Sequence, residues 1–140
     1  MRIVVAVDGS PVATRAVRHV AHLAAGLKEA PDVVLLHVDE PLLKAVVAEL
    51  GPQRTAEYHA ENARHATRTA RAALHRAGIV FEERFVVGEP AATIANTCRK
   101  GKCDLLVMGS HGRGAVKSLF LGSVAIKVLS LCQVPVTIVR

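Results

Sequence analysis

The chain has no tryptophan, one tyrosine and three phenylalanines among 140 residues. So few rings supply neither stacking platforms for bases nor aromatic anchors, and the core has to be built from Val, Ala and Leu, which dominate the 51% hydrophobic content. Cysteines number three, Cys98, Cys103 and Cys132, without C-x-x-C spacing. An odd, unspaced set excludes a disulfide framework and a zinc site and reads as small core residues of a reducing compartment. No apolar run approaches the roughly 20 residues that cross a bilayer, and the apolar stretch ending at Asp8 is too short for a secretory signal. The expected location is the cytoplasm, without membrane contact. Acidic residues are the minority sign, 12 against 18 basic, for a net charge of +6. Without aromatic interleaving this excess carries no base-reading device, so the basic residues read as solvated helix faces and no nucleic acid partner is expected.

A chain of this length fits one domain over 1–140 that buries its core without staples. Ile3 to Val7 and Val33 to Val38, the second interrupted only by His37, are apolar runs, the pattern of strands buried on both faces of a parallel sheet. Between them, Ser10-Pro11 offers an N-cap and a first-turn proline, and Ala13, Ala16, Val17, Val20 and Ala24 recur at helical spacing. A second helix is predicted from about Arg54 to Ala77 with Gly78 as C-cap. An edge strand follows from Ile79 to Val87, with Ile79, Phe81, Phe85 and Val87 on its apolar side. A short helix starts at Pro90, a strand spans Leu105 to Met108, a helix Ser123 to Cys132 and a last strand Val134 to Val139. The connection from Asp39 to Gln53, bracketed by Pro41 and Gly51-Pro52, is read as a short helical or lid-like segment. Five strands alternating with four helices predict an α/β fold, a doubly wound parallel sheet with helices on both faces.

Open sheets of this kind bind ligands beyond the carboxyl ends of their strands, where strand order reverses. Two segments fall there. Asp8-Gly9-Ser10 follows the first strand. Gly109-Ser110-His111-Gly112-Arg113-Gly114 follows the fourth, with Gly122-Ser123 opening the next helix. Glycines admit backbone N–H groups to phosphate oxygens, and a helix start favours an anion; Ser123 is also expected to cap that helix. Asp8 has a second possible role, capping the first helix with Ser10. His111 has no nucleophile at readable spacing and is read as a loop histidine near phosphate. His19 and His22, three apart, are read as a solvated face, not metal ligands.

The spacing Gly109-x2-Gly112-x9-Gly122-Ser123 resembles the G-x2-G-x9-G-[ST] signature of ATP-binding universal stress proteins. Support comes from Ile3-Val-Val-Ala-Val-Asp-Gly-Ser10 at the start, Val107-Met-Gly-Ser-His-Gly112, and Val134-Pro-Val-Thr-Ile-Val-Arg140 at the end. The resemblance spans the chain and is weakest from Glu40 to Arg54. It implies the adenine nucleotide alpha hydrolase-like strand order 3-2-1-4-5 and ATP, with Mg2+, as ligand. It places Asp8 beside ribose or adenine, the Val38 backbone at the adenine edge and Met108 near the base. Gly109, Gly112, Gly122 and Ser123 would surround ribose and phosphates, with Ala6, Val7, Ser10 and Val124 flanking. Arg113, Gly114 and Lys117 are added from charge and position as phosphate neighbours. The resemblance also implies a homodimer through Val134 to Val139 and a stress-response sensor or modulator acting through an unidentified protein partner. Two alternatives share the fold: a slow ATP hydrolase or phosphotransferase with His111 or Asp8 as proton acceptor, and a dimeric interaction protein that binds no nucleotide.

Overall fold

The structure, a computed structural model, describes residues 1–112 and 121–140. Its elements are β1 (Arg2–Ala6), α1 (Pro11–Ala25), β2 (Asp32–Asp39), α2 (Lys44–Arg76), β3 (Phe81–Val87), α3 (Pro90–Lys100), β4 (Leu105–Gly109), α4 (Ser123–Leu131) and β5 (Val136–Val139). The five strands form one parallel sheet in the order β3-β2-β1-β4-β5. The predicted fold class and strand order are therefore those observed.

Strand alternation divides the core in two. Ile3, Val5, Val33, Leu35 and Val107 point to one face, where Ala16, Val17 and Val20 of α1 and Ala70, Ala73 and Leu74 of α2 meet them. Val4, Ala6, Val34, Leu36, Leu106 and Met108 point to the other, against Ala91, Ile94 and Cys98 of α3 and Ala125 and Val128 of α4. A run almost without polar residues is required because both faces of β1, β2 and β4 are covered. Small alanines on the helices let them sit close over branched strand residues. Cys98 and Cys103 are buried in the second core, and burial pushes both thiols upward.

Four expectations are corrected. The 39–53 connection holds the short helix, one of its two readings, and the long helix resumes at Pro52 and not at about Arg54, after a break at Gly51 whose φ of 79° and ψ of 169° are non-helical. Pro52 is tolerated because it falls in the first turn of the helix that resumes there. Second, Ala77 is the C-cap of α2, and Gly78 lies one residue beyond it with φ 67°. Its left-handed turn lets Gly78 N–H and Ile79 N–H donate to the His75 and Leu74 carbonyls (3.0 and 3.0 Å), satisfying groups the helix end leaves open. Third, Ile79 precedes β3 instead of belonging to it, and Phe85 and Val87 are each 47% exposed. β3 is at the edge, as expected, but at Phe85 and Val87 its apolar side faces out, while Val86 between them packs on the second core. Fourth, β5 begins at Val136, two residues after the predicted start.

A methyl group at residue 78 meets nothing within 4 Å, so its cost is purely conformational. Gly78→Ala should lower unfolding stability by about 1 kcal/mol, seen as a reduced urea midpoint with unchanged m-value.

Candidate functional site

β1 and β4 lie side by side, yet the segments leaving them go to opposite faces, toward α1 and α4. Their divergence opens a cavity of about 720 Å³ at the carboxyl rim. Ala6, Val7 and Asp8 line it from β1, and Val38 from β2. Met108, Gly109, His111 and Gly112 line it from β4 and the turn beyond. Gly122, Ser123 and Val124 close it at the start of α4. Ser10 does not line the cavity: it is 2% exposed and its Oγ accepts from Ala13 N–H (3.1 Å) as the cap of α1. Arg113, Gly114 and Lys117 lie outside the described residues.

The base of the glycine-rich segment is held shut by backbone. Ser110 N–H donates to the Val139 carbonyl (2.8 Å) and Gly122 N–H to the Ser110 carbonyl (2.8 Å). Residues 110 and 122 are thereby fixed together, and Ser110 Oγ lies 2.9 Å from His111 Nδ1. A Cβ at residue 122 would stand 3.1 Å from His111 Cα, and one at residue 109 would stand 3.0 Å from Val12 Cγ1 and 3.2 Å from Ala13 N. At residue 112 it would meet Asp8 Oδ2 at 2.8 Å. At residues 109 and 122 the crowding atoms include backbone, so the protein's own packing already favours glycine there, whereas at residue 112 the neighbour is the end of the Asp8 side chain.

Helix starts differ in how they are capped. Ser10 caps α1, and Glu89 caps α3 through a 2.7 Å bond from Ala92 N–H. The N-cap of α4 is Gly122, with no side-chain bond, so Ser123 is the first residue of the helix and not its cap as expected. The α2 start at Leu43 also lacks a side-chain cap, but only α4 opens on the cavity. Three N–H groups at such a start, with the helix dipole behind them, favour an anion.

The sequence reading missed one wall. His37, Asp39 and Glu40 line the cavity from β2 and its exit, with Asn62 from α2 and Pro90 and Ile94 from α3. Asp39 Oδ2 accepts from His59 Nδ1 (2.7 Å) and from Asn62 Nδ2 (3.0 Å), tying α2 to the sheet rim. His37 is buried, and its Nδ1 lies 2.9 Å from the Val7 carbonyl, so Nδ1 carries a hydrogen and donates it to that oxygen. Asp39 and Glu40 were legible by the rim rule that found Asp8. Asn62 and His59 were not, because only the packing of α2 brings them there.

Burial of the Asp39 carboxyl, the largest single influence, pushes its pKa upward. The hydrogen bonds from His59 and Asn62, with the charges of His59 and His37, outweigh it and leave the group below its ordinary 3.8. A lowered carboxylate contributes stability that is complete above the unfolded value and lost as pH falls toward the folded one. The gap in thermal midpoint between wild type and Asp39→Asn should therefore be constant at neutral pH and narrow as pH falls below about 4.

The universal stress protein family model matches residues 1–140. A universal stress protein of Thermus aquaticus is 36% identical over 141 residues, covering 99% of this chain and 97% of that one. Universal stress protein YxiE of Bacillus subtilis is 29% identical over 147 residues, covering 99% and 98%. Among solved structures, the universal stress protein from Archaeoglobus fulgidus in complex with dAMP superposes with a TM-score of 0.71 at 26% identity, covering 100% of this chain and 98% of that one. The strand order, the glycine spacing at the rim and these matches agree, and the chain belongs to the universal stress protein family.

Proposed function

We propose that the rim cavity binds an adenine nucleotide, and that its ligand is ATP with Mg2+. The observation that carries this reading is the α4 start: an uncapped helix N-terminus opening on a cavity that Val38, Ile94 and Met108 line with apolar surface beside the polar Asp8, Asp39 and Asn62. Phosphates belong at Gly122 and Ser123, ribose beside Asp8, and the base between Val38 and Met108. A relative of this fold holding dAMP supports the adenine part. Among the described residues no Lys or Arg lines the cavity, so the helix start carries the anion, with Arg113 and Lys117 proposed as added phosphate partners. Likewise no cluster of three metal-ligating side chains occurs among them, so Mg2+ would enter on the triphosphate with at most one or two carboxylates such as Asp8.

Asp8 Oδ1 accepts from Ser10 N–H (2.9 Å) and His111 Nδ1 lies 2.9 Å from Ser110 Oγ, which fixes both side chains at the rim. The proposed role is that of a protein that holds nucleotide and reports its occupancy. In this reading it is a cytoplasmic stress-response sensor or modulator, working as a homodimer through β5 and a protein partner. Pro135 and Val139 carbonyls accept from β4, so by the period of two Val136 and Ile138 turn their backbone groups outward.

Ser123→Glu tests the phosphate placement. A carboxylate in the first turn stabilises a helix by about 0.3–1 kcal/mol, so the fold should hold while phosphate is repelled. Calorimetric affinity for ATP should fall at least tenfold, with adenosine within twofold of wild type; unchanged ATP affinity would put the phosphates elsewhere. For the dimer, Ile138→Pro removes an outward donor that the ladder to β4 does not use. Sedimentation should move toward monomer with the circular dichroism spectrum retained.

A further inference from the structure

The net charge of the protein is concentrated on one layer. No Asp or Glu occurs between Pro11 and Ala25 or between Asn62 and Arg76, whereas Arg15, Arg18, Arg64, Arg68, Arg71 and Arg76 do. Taking these six from the 18 basic residues leaves 12 against 12 acidic ones, so α1 and the second half of α2 account for the whole +6. These two segments pack on the same sheet face, burying Val17, Val20, Ala70 and Leu74 beneath them. Arg18, Arg64, Arg68 and Arg76 are exposed, and none has an acidic partner among the described residues. Arg15 donates to the Arg140 carbonyl (2.8 Å) and Arg71 pairs with Glu83 (3.1 Å). None of the six lines the cavity.

We propose that this arginine layer docks the phosphodiester backbone of nucleic acid without reading its bases. Three features select that partner. Every cation is arginine, whose planar fork matches phosphate. The row Arg64, Arg68 and Arg71 lies within about 60° on the helix and runs about 10 Å along it, roughly three nucleotide rises of one strand, with Arg76 a further turn on and about 120° round. And none of the exposed large hydrophobic residues falls in either segment. A membrane-surface helix inserts an apolar face, and a protein interface has a central apolar or aromatic anchor; here both helices turn their apolar faces to the sheet. The poverty of aromatics that argues against base readout leaves backbone contact intact.

The test uses the full chain and two fluorescein-labelled RNA strands of about 20 nucleotides with unrelated sequences, read by anisotropy between about 50 and 200 mM salt. One variant carries Arg18→Gln, Arg64→Gln, Arg68→Gln and Arg76→Gln. A control carries Lys28→Gln, Lys44→Gln, Arg99→Gln and Lys102→Gln, all exposed and outside the layer, with the same loss of net charge. Wild type should bind both strands equally. The layer variant should lose at least tenfold in affinity, with a salt slope shallower by about 2–3, while the control stays within threefold. Equal losses in both variants would reduce the effect to bulk charge and overturn the proposal. So would absence of RNA binding by wild type, a strong preference for one sequence, or layer-dependent binding only to phosphatidylglycerol vesicles. Circular dichroism melts of both variants confirm that the comparison is between folded proteins.

Discussion

The rest of the molecule depends on the position of β1. It is hydrogen-bonded in parallel on both sides, to β2 through Arg2–Ala6 and to β4 through Ile3–Ala6. A parallel strand needs a crossover, and crossovers are right-handed, so a chain that first adds strands on one side of β1 and then on the other must place its helices on opposite faces. α1 and α2 therefore share one face, and α3 and α4 the other. The cavity is the geometric remainder of that choice: where neighbouring strands send their exits apart, the described residues leave a space between them.

Much of this was legible in the sequence because the sheet demands an unmistakable pattern. A strand covered on both faces has almost no polar position: Ile3 to Val7 has none, and Val33 to Val38 has one, His37, whose Nδ1 is bonded to the Val7 carbonyl. Ser10-Pro11 and Pro90 marked helix starts by chemistry that acts locally, and of the fourteen candidate residues that the rim rule and the family resemblance together named, eleven line the cavity. What failed was local signal with two meanings. Gly51-Pro52 has the composition of a loop, yet a glycine in a non-helical conformation followed by a first-turn proline also splits one helix into two without ending it. Ser123 has the composition of a cap, yet the backbone of Gly122 (φ −67°, ψ 158°) already occupies the cap position.

The missed wall has a different origin. Asp39 meets His59 and Asn62 at separations of 20 and 23 residues, on a strand and on the helix that follows it. No periodicity relates them, because their meeting depends on where the break at Gly51 aims the rest of α2. Polar groups at a cavity edge are commonly of this kind: identity is local, and assembly belongs to the tertiary structure. The glycines of the rim show the complement. Their spacing suggested room for a ligand, and the structure adds that Asp8, His111 and the start of α1 already press on those positions.

The two borders of the sheet are unlike. β3 carries Glu82, Glu83 and Arg84 along its length, and Arg2, Arg71 and Arg84 are bound to those carboxylates, while β5 reads Val-Thr-Ile-Val without a charge. Charged borders resist the addition of further strands and uncharged ones accept it. Sheet growth from this molecule is thus open at one border and guarded at the other. If two copies join through β5, each turns its guarded border outward, so association ends at a closed pair and has no route to a fibre.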